Sequence, residues 1–423
     1  MTEFADARNA LDDDTPVSAA GVGRWPWLAR LTASLAALTA STVLTVALWA
    51  GTNHDVVGSA GFRVAGDDHV YLYMARIRPG AFHVAPWCWR VLIPLIVHYL
   101  PFSLQQGFAC ITLVTTALTG WSVYEVMRKL GFSNGLSMLG LVLFFSISYA
   151  TRFNIRDFWL TDTTAFLFTA LAVLALLYRR FMAYAMCLAA GVVAKESVVF
   201  VAPLCYTLTA RRRWDDQALI RTVLLAVPAV GELALLRLLI PAWNGHAGYI
   251  ATLPSNVKAD IGNVFSYNLL TVAGKEISAR WHVWPRELVE IITSFGALGL
   301  VLPLLAGWRS LRRVLQVSWP FLALVITQLL FTFNTQRLLV LAFIPVIWAS
   351  LLGIHCAGER FDIPIWCFVV AVVASVVIEF ASRTASAPQP TLQIATFGMI
   401  TIMVLLYRQF RQRKGAEGIS PTV

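Results

Sequence analysis

Charge is what this sequence has least of. Asp, Glu, Lys and Arg make up 13% of its 423 residues, against 58% hydrophobic. A soluble chain normally carries about 25% charged residues, so a water-soluble globule is excluded. Cysteine is sparse as well, with six in the chain. Only Cys88 falls in a loop. Cys110, Cys187, Cys205 and Cys367 sit in apolar runs, and Cys356 ends one. No CxxC pair occurs, which excludes a disulfide framework and a thiolate metal site. There is no Walker sequence, no dinucleotide glycine fingerprint and no HExxH, so soluble nucleotide chemistry has no site. The apolar stretches are continuous rather than alternating, which excludes a transmembrane β-barrel.

What the chain does have is hydrophobic length. Several runs reach the roughly 20 apolar residues that cross a bilayer, and mean hydropathy is +0.68. The fold class is therefore all-α and polytopic. The net charge of +10 does not point to nucleic acid. Lys and Arg stand just outside the apolar runs, as the positive-inside rule requires, rather than on one soluble face.

Residues 1–26 are acidic and turn-rich and read as a disordered cytoplasmic tail. The first apolar run, about 27–50, is too long and too far from Met1 for a cleaved signal and reads as a first span. A long external connection, 51–102, follows and is expected to carry interfacial amphipathic helices. The apolar region 182–209 is interrupted by Lys195-Glu196. As one span it would put Arg211, Arg212 and Arg213 outside; as two short helices meeting at Lys195-Glu196 it puts them inside. The second reading makes every later loop agree with the charge bias. It gives about 12 transmembrane helices, 11 to 13, in one domain over 27–407. External loops then lie at 51–102, 242–289, 334–337 and 382–390, with a basic tail at 408–423 and both termini cytoplasmic.

Ionisable residues at membrane depth are costly, and each is a functional candidate. Asp67 and Asp68 stand in Gly66-Asp67-Asp68-His69-Val70-Tyr71. One could act as a general base, or the pair could grip a divalent cation; Gly-Asp-Asp before an apolar run is equally a helix start. His69 and Tyr71 stand beside them, with Tyr71 four residues after Asp67 and so on its helix face. Arg90, Arg152 and Arg156 offer guanidinium forks for phosphate oxygens, accompanied by Asp157 and Asp162. Lys195-Glu196 either neutralises itself or turns Lys195 toward an anion. Arg337, in a four-residue interruption of two spans, is placed for a lipid phosphate.

Together these residues resemble the GT-C superfamily of integral-membrane glycosyltransferases. The resemblance rests on a first helix followed by an external acidic motif, Gly66-Asp67-Asp68 with Val70-Tyr71. Next come Arg90-Val91-Leu92-Ile93-Pro94, an Arg/Asp-rich loop from Arg152 to Asp162, short helices joined near Lys195-Glu196, and Arg337 late in the core. The Asp-x-x-Val-Tyr spacing is most similar to the polyprenol-phosphate-mannose-dependent mannosyltransferase branch. The resemblance implies a polyprenyl-phosphate sugar donor, a lipid or glycan acceptor, and inverting transfer at the non-cytoplasmic face of a bacterial plasma membrane, within cell-envelope assembly. It implies Asp67 or Asp68 as catalytic base. Arg90, Arg152, Arg156, Lys195, Glu196 and Arg337 would surround the lipid phosphate, with His69, Tyr71, Asp157 and Asp162 in support. No soluble C-terminal domain follows and no sequon-recognition motif is present.

A transporter or lipid flippase is the competing class, and Glu232, Arg237 and Glu379, in or near later apolar runs, are the residues it would need. The two halves show no matching pair of broken helices, which such a fold often has.

Overall fold

The computed structural model describes residues 26–53, 68–212, 214–244, 246–261, 290, 294–330 and 335–381, together with positions 398, 402, 407 and 409. Asp67, the rest of the 54–67 connection and most of the 262–293 connection lie outside the described residues. Every regular element among the described residues is helical. Among the described residues, four helical stretches are long and apolar enough to cross a membrane: Trp27–Thr52, Leu104–Lys129, Asp216–Leu239 and Thr335–Arg360. The chain is a helical membrane protein.

The first helix, α1 (Pro26–Asn53), is followed by α2 (Asp68–Ile77) and α3 (Leu92–Tyr99) in the loop region. α4 (Leu104–Lys129) begins with a capping box: Ser103 Oγ accepts from the Gln106 amide at 3.3 Å, and Gln106 Oε1 accepts from the Ser103 amide at 3.2 Å. Two donors that the first turn would otherwise leave unmet are thereby satisfied. Next come α5 (Asn134–Ser146), the single turn α6 (Arg152–Arg156), α7 (Asp162–Leu177) and α8 (Phe181–Ala194). A 3₁₀ segment, Glu196–Val201, leads into α9 (Ala202–Thr209), then α10 (Asp216–Leu239) and the short α11 (Ala247–Thr252) and α12 (Ser255–Ile261). The later helices are α13 (Gly296–Leu305), α14 (Gly307–Thr327), α15 (Thr335–Leu339), α16 (Phe343–Phe361) and α17 (Ile365–Ala381).

The centre of the bundle is the packing of α4 against α7, of α7 against α8, and of α1 against α4. Their buried residues belong to one large apolar core that also takes in α16 and α17. A second core lies under the loops: Tyr71, Met74, Phe82, Val84 and Cys88 pack with Trp159, Leu253 and Val257. Two connections far apart in sequence thus dock on each other. The Trp243 amide donates to the His83 carbonyl at 2.7 Å, and their rings stack at 3.9 Å. Asn244 closes a two-way contact with the backbone of Ala85, at 2.8 and 2.9 Å.

The chain does reverse at Lys195. Lys195 is extended, with φ −160° and ψ 128°, and this ends α8. The C-terminal end of α9 (Leu208, Thr209) then lines the same cavity as the C-terminal end of α7 and Phe181 at the start of α8. Gly191 permits the close return: a Cβ there would stand 2.5 Å from Val198 Cγ1.

The loop expected at 334–337 is helical over its described residues, 335–337. Arg309, Arg312 and Arg313 fall in the first two turns of α14, because the chain turns sharply at Gly307, φ +71°. Arg337 lies within α15, at the head of an almost unbroken helical stretch, Thr335–Arg360, rather than in an irregular interruption.

Candidate functional site

α7 begins at Asp162, and α8 ends just before Lys195, so the antiparallel packing of these two helices sets a carboxylate beside an ammonium. Lys195 Nζ donates to Asp162 Oδ1. Arg337, brought in by α15, donates to Asp162 Oδ2 through Nε at 2.9 Å and Nη2 at 2.6 Å. The Asp162 side chain is wholly buried, and Lys195 and Arg337 retain 8% and 13% exposure. One carboxylate therefore serves two cations inside the bundle.

The next residue along the chain makes a second pair. Glu196 accepts from Arg90 Nε at 2.9 Å (Oε2) and from Nη2 at 2.5 Å (Oε1). This is the two-pronged match of guanidinium and carboxylate that fixes both groups in orientation. Arg90 Nη1 also donates to the Tyr71 hydroxyl at 3.3 Å, tying the pair to the first turns of α2. Lys195 and Glu196 do not neutralise each other; each has a partner from a distant segment. Within these two pairings three cations, Lys195, Arg337 and Arg90, meet two carboxylates.

Asp157 lies just before this set, half-buried. Burial pushes its carboxyl above the usual range, against the pull of Arg156 and Arg337. Cys88, two residues before Arg90, is fully buried, and burial pushes its thiol up to about 12. A thiol held protonated in this way is not a nucleophile.

The structure therefore brings together Tyr71, Arg90, Asp162, Lys195, Glu196 and Arg337, with Asp157 near Arg337. Arg156 is exposed, and Arg152 opens α6 half-buried. His69 is half-buried on the first turn of α2. Asp68 lies in the described part of that helix; Gly66 and Asp67 lie outside the described residues. Among the described residues no group of three or more His, Cys, Asp or Glu is placed to hold a metal ion.

Sequence reasoning passed over two residues here. Thr161 and Thr164, on either side of Asp162, are buried, and their hydroxyls have no hydrogen-bond partner among the described residues. Buried hydroxyls are ordinarily bonded, and their spacing of three puts both on one helix face. The signal was the run Thr161-Asp162-Thr163-Thr164 at the start of an apolar segment.

Of the residues offered for the transporter class, Glu232 and Arg237 are exposed on α10, and Arg237 stands 4.9 Å over the Trp89 ring. The side chain of Glu379 lies outside the described residues.

Comparison with protein-family models, with curated proteins and with solved structures finds no match to this chain.

Proposed function

We propose that this protein is a GT-C-like membrane glycosyltransferase that moves a sugar from a polyprenyl-phosphate donor to a lipid or glycan acceptor. The observation that carries the proposal is the buried set Asp162, Lys195, Arg337, Arg90 and Glu196. Its three buried cations, Lys195, Arg337 and Arg90, suit the anion that leaves when a glycosyl phosphate is cleaved. The acceptor hydroxyl oxygen attacks the anomeric carbon as the bond from that carbon to the phosphate oxygen breaks. The bonding pair departs with polyprenyl phosphate, and configuration inverts. Asp67, just before α2 in sequence, or Asp68, within α2, takes the hydroxyl proton. Lys195, Arg337 and Arg90 stabilise charge developing on the phosphate, in a setting where water is largely excluded. Tyr71 connects the segment bearing the base to Arg90.

The test is release of polyprenyl phosphate by protein in lipid, given a panel of polyprenyl-phosphate hexoses and pentoses with mixed lipid and glycan acceptors. Wild type should consume at least one donor. Asp67→Asn or Asp68→Asn should lower that rate by about 10²–10⁴. No consumption of any donor overturns the proposal.

A transporter or lipid flippase is the second reading, favoured by the burial of the Asp162–Lys195–Arg337 triplet inside the bundle. Lipid-linked sugar crossing a vesicle bilayer uncleaved would select it.

A further inference from the structure

At the far end of α7 from Asp162, about 24 Å along a 16-residue helix, a cavity of about 260 Å³ opens between four helix ends. It is independent of the ion set described above. Arg179 comes from the turn between α7 and α8, Arg211 from the connection between α9 and α10, and Arg221 from the second turn of α10. Three guanidinium-bearing side chains line one small hollow.

The acid in the same wall is already engaged. Asp215 caps α10: its Oδ1 accepts from the Ala218 amide at 3.0 Å and its Oδ2 from the Arg211 amide at 2.8 Å. The lining keeps an excess of positive charge, and the N-terminal end of a 24-residue helix adds to it. Arg221 is oriented by the Phe181 ring, 4.8 Å from its guanidinium carbon. Arg179 holds φ +54°, a left-handed conformation unfavourable for a non-glycine residue. The turn closes around it, with the Arg179 amide on the Leu176 carbonyl at 2.9 Å and the Arg180 amide on that of Ala175 at 2.8 Å. Leu176, Phe181 and Leu208 also line the hollow.

We propose that this hollow binds the phosphate ester of an anionic phospholipid headgroup at the membrane surface. Its volume falls below the roughly 300–1,000 Å³ of sites for larger small molecules, which suits a phosphodiester with its glycerol stub. The guanidinium forks match phosphate oxygens, and Leu176, Phe181 and Leu208 add apolar surface for the carbon stub. This is also the end that the arginine distribution assigns to the cytoplasm, where anionic lipid attracts basic side chains.

The test uses the full chain in nanodiscs of phosphatidylcholine with increasing phosphatidylglycerol, read by thermal midpoint and by native mass spectrometry of retained lipid. Wild type should be stabilised by phosphatidylglycerol and retain it preferentially. Arg211→Gln with Arg221→Gln should weaken that preference on the order of tenfold per arginine. Arg212→Gln, a neighbour that does not line the hollow, should leave it intact. An equal loss in Arg212→Gln means diffuse surface charge and overturns the proposal. Inorganic phosphate that stabilises protein in pure phosphatidylcholine and cancels the phosphatidylglycerol effect makes the ligand a free anion and overturns the lipid assignment. Should the double variant not fold, the wild-type lipid count decides alone: no preference for phosphatidylglycerol overturns the proposal.

Discussion

Arg337 and Asp162, 175 positions apart in the chain, meet through two guanidinium nitrogens on one carboxylate oxygen, at 2.9 and 2.6 Å. The same carboxylate holds Lys195 on its other oxygen, so α15, α7 and the end of α8 are joined at one buried point.

Removing that carboxylate takes from two buried cations the acceptor they share. Asp162→Asn is expected to cost about 3–5 kcal/mol of stability, measured as a fall in thermal midpoint in detergent. Arg337→Gln on top of Asp162→Asn should cost less than the two changes summed, since one of the cations that lost the acceptor is gone. Strict additivity would mean that the two groups do not share an interaction.

The reversal after α8 depends on a missing side chain. At Gly191 a Cβ would meet Val198 Cγ1 at 2.5 Å, so Gly191→Ala should destabilise by about 1–3 kcal/mol. Val198→Ala in the same chain should recover part of the loss. An unchanged midpoint in Gly191→Ala would argue against the close return.

Burial raises the Asp157 carboxyl above the ordinary value. A carboxyl raised by folding contributes stability that is full below its unfolded pKa, about pH 4, and is lost as pH rises through the folded value. Asp157→Asn should therefore gain stability relative to wild type between pH 4 and pH 7. Wild type gaining on the variant over that interval would show the opposite sign.

Cys88 should resist alkylation. Burial holds its thiol near 12, so iodoacetamide at pH 8 should leave it unmodified in folded protein and modify it after denaturation, read by peptide mass spectrometry. Labelling of the native protein at Cys88 would mean that the loop core opens.

The members of the buried ion set were legible in sequence because an ionisable residue in an apolar chain has few innocent explanations. Arg90, Asp162, Lys195, Glu196 and Arg337 all stood out on that ground. Their pairing was not legible. Lys195-Glu196 looked able to satisfy itself, yet an extended residue at the helix end sends adjacent side chains to different partners. Asp162 looked like one member of a local Arg/Asp loop, yet as the first residue of α7 it is carried into the bundle. The Gly307 turn and the helical setting of Arg337 were hidden for a related reason. Basic and polar residues near an apolar run suggest a loop by composition, while the backbone continues as helix because that satisfies its polar groups.

The most direct test of the account is whether the buried ion set recognises a lipid phosphate. Binding of polyprenyl phosphate and of uncharged polyprenol would be compared in wild type, Lys195→Gln and Arg337→Gln, each checked for folding. The account predicts that wild type prefers the phosphate strongly and that each substitution weakens this preference on the order of tenfold, with polyprenol binding little changed. Equal binding of phosphate and alcohol by folded wild type would contradict it.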